Sequence, residues 1–368
     1  MAAIERIEIE IVDLPPKVAR TDAIQSFVTQ ETPIVTVTDA DGARGTGYAY
    51  TIGTGGSAVV RHLADDLAPF LIGRDAAQVE RLWFELHRHT HATTPGALTA
   101  LAQAAVDTAL WDLRCLRAGL PLHLMAGGAR DSVPVYTTEG GWLQLSPEAL
   151  VEDAVRAKEE GFGGAKVKIG KPDPHEDVRR LSAVREAVGP GFEVFTDANQ
   201  SFAVDEAIRR ARLLEPLDVG WLEEPLPSDD VSGHARLSRA TTLPVAVGES
   251  IYSLAWFREY LERGACSVVQ VDAARIGGVT PWLKVAHLAE AFGVPVCPHF
   301  LMELHVSLAC AVPNGRWVEF IPQLDDLTTE GMRIEAGRAL PSPEPGLGIA
   351  WDREAVAARR RADPIMVA

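Results

Sequence analysis

Residues 164–199 read GAKVKIGKPDPHEDVRRLSAVREAVGPGFEVFTDAN. A short apolar strand carrying Lys166 and Lys168 gives way to the helical pattern HEDVRRLSAVREAVG. A second apolar strand follows and ends at Asp197 and Asn199. Strand, helix and strand in so short a span form a βα repeat, and the pattern recurs outward in both directions. VPVYTT lies before it, and VGWLEEP, LPVAVGES, CSVVQVDA, VPVCPH and RWVEF lie after it, giving eight strand-like segments in all. Amphipathic stretches such as PEALVEDAVRAKEEG, AVDEAIRRARLLEPL and TPWLKVAHLAEAFG separate them. This rhythm predicts an α/β chain with a closed (β/α)8 TIM-type barrel over residues 129–320. There is no GxGxxG after the first strand and no GxxxxGK[ST], which removes the main nucleotide-binding alternatives.

Charged residues mark the ends of these strands. Lys166 and Lys168, Asp197, Glu223, Glu249, Asp272, His299 and Glu319 recur at intervals of about one strand plus one helix, where a barrel gathers its functional groups at one mouth. Asp197, Glu223 and Glu249 offer three hard oxygen ligands and suit Mg2+, with Mn2+ as an alternative ion. Lys166 and Lys168, two apart, share a face. Mutual repulsion is expected to lower their proton affinity and fit Lys168 for general-base work. Asp272 and His299 end adjacent strands, so the carboxylate is expected to fix the imidazole tautomer. Asn199 is expected to point inward toward a substrate hydroxyl or carboxylate, and His305 to border the pocket or pack in the core. His87, His89 and His91 resemble a metal motif by composition but fall in a helical region away from the barrel.

The first 128 residues read as a separate α+β domain. Ile4 to Val12 alternates like a strand, Pro33 to Tyr50 reads as two strands around Ala40-Asp41-Gly42, and helical periodicity covers 58–71, 77–89 and 96–120. Two polar or Gly-rich loops, 18–30 and 51–56, are expected to line a distal pocket, with Arg20, Asp22, Gln25 and Ser26 making it polar. Residues 321–368 lack the βα rhythm and are expected to pack back on the N-terminal domain.

A net charge of −16 without a basic stretch argues against nucleic-acid binding. No apolar run approaches a membrane span or a signal peptide, so a cytoplasmic enzyme is expected. Cys115, Cys266, Cys297 and Cys310 have no CxxC spacing and are expected as buried thiols.

The ordered set AKVKIG, TDANQ, WLEEP, VGES, QVDAARIGG, CPHF and RWVEF resembles the enolase superfamily, and within it the mandelate racemase subgroup. AVDTALWDLRCLRAGLPLHLMAGG is similar to that family's junction between capping domain and barrel. GGWLQ, GFGGAKVKIGKP and PHFLMELHVSLACAVP are most similar to the galactarate/talarate-type acid-sugar dehydratases. The resemblance implies a modified, enolase-like barrel beneath an N-terminal capping domain, a small-molecule carboxylate substrate, and a homo-oligomer, dimer or octamer. It assigns Lys168 as the base at the α-carbon and Lys166 as the cation against the substrate carboxylate. His299 with Asp272 becomes the second acid–base group, and Glu319 a protonated donor to that carboxylate. Read from their own positions, Asn199 beyond Asp197 and Arg20 in the polar loop are expected to join the substrate contacts. The reaction expected is dehydration of an acid sugar to a 2-keto-3-deoxy acid. A racemase or epimerase is the alternative, and a non-catalytic barrel the remote one.

Overall fold

The computed structural model describes residues 2–368. The chain begins with strands Ile4–Leu14, Gln30–Asp39 and Arg44–Tyr48, paired antiparallel in that order, and Thr51–Ile52 adds to the start of the second. Asp39 makes the turn between the last two long strands by accepting the N–H groups of Asp41 and Ala43 on one carboxylate oxygen. Helix Ala97–Ala118 lies across this sheet. Its approach depends on Gly45 and Gly47, because a Cβ on Gly47 would sit 2.3 Å from Ala109 N and 2.4 Å from Ala105 O.

The barrel follows as parallel strands Val133–Thr137, Gly164–Lys168, Glu193–Asp197, Leu222–Glu223, Val245–Val247 and Val268–Val269, each paired with the next. Val318–Phe320 pairs with Val133–Thr137. The segment expected as the seventh strand, VPVCPH, contributes only isolated bridges at Val296, one to Val269 and one to Gly315. Pro295 and Pro298 flank the bridging stretch and have no N–H to donate, so the ladder cannot extend. Cys297 N–H still donates to Val269 O at 2.9 Å and Arg316 N–H to Val296 O at 2.9 Å, which closes the ring.

Inside the barrel, Tyr136, Phe195, Trp221, Ala246, Val268 and Cys297 form a separate apolar cluster with Trp317 against it, and Phe195 and Trp221 stack at 3.7 Å. Side chains alternate along a strand, so the residue two places after an inward apolar one also faces inward, nearer the C-terminal mouth. Phe195 thus precedes Asp197, Trp221 precedes Glu223, Cys297 precedes His299 and Trp317 precedes Glu319. The fifth strand breaks this parity. Ala246 faces the cluster, yet Glu249 reaches the mouth after Gly248, where a Cβ would stand 2.4 Å from the Gln270 backbone.

After residue 320 the chain divides. The hairpin Arg333–Glu335 and Arg338–Leu340 adds antiparallel to Val133–Thr137, whereas Ile365–Val367 extends the N-terminal sheet beside Ile4–Leu14. All four cysteines are buried and free. No helix among the described residues is long and apolar enough to cross a membrane.

Candidate active site

The strand ends bring Lys166, Lys168, Asp197, Glu223, Glu249, His299 and Glu319 to one mouth, with Asp272 directly behind His299. One oxygen from each of Asp197, Glu223 and Glu249 lies within 4.8 Å of the others. The first two carboxylates are each anchored by neutral donors on one oxygen, and turn the other toward the lysine ammonium groups. Glu223 Oε2 accepts from Trp221 Nε1 at 3.0 Å and Gln270 Nε2 at 2.7 Å, and Asp197 Oδ1 accepts from Asn199 N–H at 2.9 Å. Glu249 Oε2 lies 3.1 Å from His299 Nε2 but without hydrogen-bond alignment, so it is a buried oxygen with no donor. A carboxylate oxygen left in this state inside a three-carboxylate set fits a divalent cation of the hard, oxygen-preferring kind.

The lysines are corrected by the structure. Lys166 Nζ stands 2.8 Å from both Glu223 Oε1 and Glu319 Oε1 and 3.6 Å from Asp197 Oδ2, while Lys168 Nζ is 2.5 Å from the same Asp197 oxygen. Burial alone would lower both ammonium pKa values, but the carboxylates outweigh it and hold both above the ordinary lysine value. The repulsion expected from the sequence is present at Lys168, where the Lys166 charge lowers the pKa, but Asp197 with Glu249 and Glu223 outweighs it.

Glu319 is corrected in the same way. Burial favours its neutral form, yet Lys166, His299 and the hydroxyl of Thr138 hold it well below the usual carboxylate range. Without substrate these neighbours favour the carboxylate over the protonated form that the resemblance implies. Glu223 goes the other way: burial, then the charge of Asp197, pushes it up to about 7.

On the opposite side, His299 Nδ1 lies 2.9 Å from Asp272 Oδ2. Asp272 is held ionised, because the His299 hydrogen bond and charge overcome the effect of burial. An ionised carboxylate only accepts, so Nδ1 carries the proton and Nε2 is the working nitrogen, facing Glu249 and the cavity. Burial would lower the His299 pKa, but Glu249 and Asp272 raise it. His305 is wholly buried beneath this pair. Its Nε2 accepts from Ala273 N–H and its Nδ1 donates to Phe300 O, so it braces the residues that follow Asp272 and His299.

A cavity of about 170 Å³ opens over these groups. Its outer wall comes from the N-terminal domain, including Arg20, Asp22, Gln25, Gln30 and Ile52. The stretch expected as a plain loop contains a small hairpin, Arg20–Thr21 with Ser26–Phe27. Arg20 reaches the cavity but is not free. It is paired with Glu139 at 2.5 Å, donates to Pro322 O at 3.1 Å, and is buried. Asn199 lines the cavity with its Oδ1 buried and unpartnered. Of the remaining histidines, His89 stacks on Phe70 and His87 on Trp83, and His91 is exposed; none joins a metal-type cluster among the described residues.

Several contributors were missed from the sequence. Gln270 and Trp221 stand two places before Asp272 and Glu223, so strand alternation alone could have found them. Arg180, on helix Pro174–Val188, donates to Lys168 O at 2.9 Å and Trp142 O at 3.2 Å and so backs the lysine strand. Tyr50, Thr138 and Glu139 carried no sequence signal.

An α+β domain capping a βα barrel, with three carboxylates from successive strand ends between a lysine and a His–Asp pair, defines an enzyme of the enolase superfamily. Residues 6–127 match the mandelate racemase / muconate lactonizing enzyme N-terminal domain, and residues 149–355 match the enolase C-terminal domain-like family. The chain belongs to this family. It is 37% identical over 322 residues to the L-talarate/galactarate dehydratase of Salmonella typhimurium, covering 88% of this chain and 81% of that protein. It is also 37% identical over 354 residues to the 3,6-anhydro-alpha-L-galactonate cycloisomerase of Streptomyces coelicolor, covering 95% and 98%. The crystal structure of L-talarate dehydratase from Polaromonas sp. JS666, complexed with Mg and L-glucarate, superimposes with a TM-score of 0.95 at 36% identity, covering 100% of this chain and 99% of that one.

Proposed function

We propose that this protein removes water from an acid sugar, a diacid of the galactarate or talarate kind, to give a 2-keto-3-deoxy acid. The observation that carries this reading is the placement of two proton-transfer groups at opposite ends of one carboxylate set. Lys168 adjoins Asp197, His299 adjoins Glu249, and both line a single cavity with a polar outer wall. The dehydratases among the relatives support dehydration, and the L-talarate/galactarate dehydratase supports a diacid.

Asp197, Glu223 and Glu249 would hold Mg2+, or Mn2+, which supplies positive charge beside the substrate carboxylate and so acidifies its α-proton. Lys166 orients that carboxylate and balances the negative charge that develops as the α-proton leaves. Glu319 can donate to it only after gaining the proton that Lys166 now disfavours. Lys168 acts as a base only when Asp197 no longer shares its proton. With Nδ1 tied to Asp272, His299 exchanges protons through Nε2. One group takes the α-proton, the electron pair forms a C2–C3 double bond and the C3–O bond breaks. The other group protonates the departing hydroxyl, and the resulting enol tautomerises to the 2-keto acid. Where no β-hydroxyl meets an acid, the same two groups return the proton to the opposite face, and epimerisation is the outcome.

The test is to incubate the protein and Mg2+ with galactarate, talarate, glucarate, galactonate, arabinonate and xylonate, following 2-keto-acid formation and the NMR spectrum of each acid. A 2-keto product from a diacid is expected. Epimerised acid without 2-keto product would make the protein an isomerase, and no change in any acid would overturn the reading.

A further inference from the structure

The N-terminal domain does more than wall the cavity. Tyr50, two residues beyond strand Arg44–Tyr48, is fully buried, and its hydroxyl donates to Asp272 Oδ2 at 2.7 Å. That oxygen is the one that receives His299 Nδ1–H. The direction of the bond is fixed chemically. Arg275 Nε lies 3.2 Å from the Tyr50 hydroxyl and can only donate, so the phenol oxygen accepts there and its single proton is left for Asp272. Arg275 is itself held by the Tyr252 hydroxyl at 2.8 Å. Burial, the largest influence on Tyr50, keeps its phenol protonated far above the ordinary tyrosine range.

Packing supports the same geometry. The Tyr50 ring lies 4.5 Å from that of Phe300, which stacks on His299. The second Asp272 oxygen accepts from Ala274 N–H at 2.7 Å and Arg275 N–H at 3.3 Å. Tyr50 is therefore the one donor to Asp272 that comes from outside the barrel among the described residues. Among these residues Lys168, by contrast, takes its hydrogen bonds from barrel residues alone, Asp197 on the side chain and Arg180 and Gly141 on the backbone, and the N-terminal domain reaches it only through the Trp142 ring on which Phe27 packs.

We propose that Tyr50 is a positioning residue of the His299–Asp272 pair, so that docking of the N-terminal domain completes the hydrogen bonding of one of the two proton-transfer groups and not of the other. The inference rests on the reading of the site as a two-sided acid–base centre. A hydrogen bond to a charged group constrains the Asp272 carboxylate, and through it the imidazole that must meet substrate in a narrow range of angles.

The experiment compares wild type, Tyr50→Phe and His299→Asn in the full chain with Mg2+, using galactarate and L-talarate. The first readout needs no turnover. In protein labelled with 15N-histidine, the Nδ1–H resonance of His299, identified by its loss in His299→Asn, should shift in Tyr50→Phe. The second is kinetic: kcat should fall roughly tenfold with KM little changed, as for loss of one hydrogen bond to a charged group. Solvent deuterium exchange into recovered substrate, to the extent that it survives in His299→Asn, should survive equally in Tyr50→Phe. An unshifted resonance, or loss in Tyr50→Phe of the exchange that His299→Asn retains, would overturn the proposal. If wild type acts on neither acid, the proposed function fails separately, and the resonance alone decides for or against Tyr50.

Discussion

At the scale of single residues, the site is a balance of buried charges in which every lysine has a carboxylate. Removing Lys168 leaves Asp197 without its 2.5 Å partner, and removing His299 leaves Glu249 and Asp272 facing an uncharged gap. Lys168→Ala and His299→Asn should each abolish product formation, with one of the two still exchanging the α-proton with solvent deuterium. Normal product formation by both variants would remove these residues from the mechanism. Asp272→Asn should cost less than His299→Asn, because the imidazole remains while its tautomer is disturbed.

His305 gives a prediction of a different kind. Burial pushes its pKa down from 6.5 to about 4, outweighing the Asp272 charge and the hydrogen bond to Phe300 O, both of which favour the protonated ring. The unfolded chain binds this proton first, so stability is lost as pH falls from about 6.5 toward about 4 and the loss levels off below that. The full contribution is on the order of 3 kcal/mol. Urea unfolding at pH 7 and at pH 4.5 should show a smaller drop for His305→Gln than for wild type. An equal drop would mean that other groups dominate acid unfolding.

Among elements, the contact between strand Arg44–Tyr48 and helix Ala97–Ala118 positions the capping domain. Gly47→Ala would force a methyl against the helix backbone at 2.3 Å, and backbone cannot yield as a flexible side chain does. The variant should lose about 2 kcal/mol or more of stability, as overpacked cores do. Tyr50, which leaves this strand for Asp272, should be displaced with it, so activity should fall further than the loss of folded protein explains. Denaturant unfolding together with kcat measured on the folded fraction checks both parts. The hairpin at 20–27 carries Arg20, whose guanidinium is already shared with Glu139. Arg20→Ala should therefore lower kcat/KM for the best diacid by roughly tenfold and also leave the half-buried Glu139 without its cation.

For the molecule as a whole, cation binding and folding should separate. Lys166 and Lys168 already neutralise much of the charge of Asp197, Glu223 and Glu319, and the barrel interior below them is closed by aromatic packing. Chelator-treated protein should thus keep its circular dichroism spectrum yet lose activity, and added Mg2+ should restore it. Full turnover without metal, or unfolding on chelation, would contradict this division.

The amino-acid sequence determined the repeating βα order and the strand ends at which the site residues stand. Both are local properties: alternation fixes which side of a strand a residue faces, and helix length fixes the interval to the next strand. Lys166, Asp197, Glu223, His299 and Glu319 were legible for that reason, as was the hard-oxygen character of the carboxylate set. Only the tertiary structure decided the charge states, because each depends on distances that exist once the barrel closes. Two adjacent lysines read as a depressed pair, and Glu319 as a protonated acid, until Glu223, Asp197 and Glu319 were placed around the ammonium groups. The thinning of the seventh strand to a bridge at Val296 was written in Pro295 and Pro298 but became visible only against its neighbours. Tyr50 had no signal at all, since the partner that gives it meaning, Asp272, lies 222 positions away and meets it only when the two domains pack.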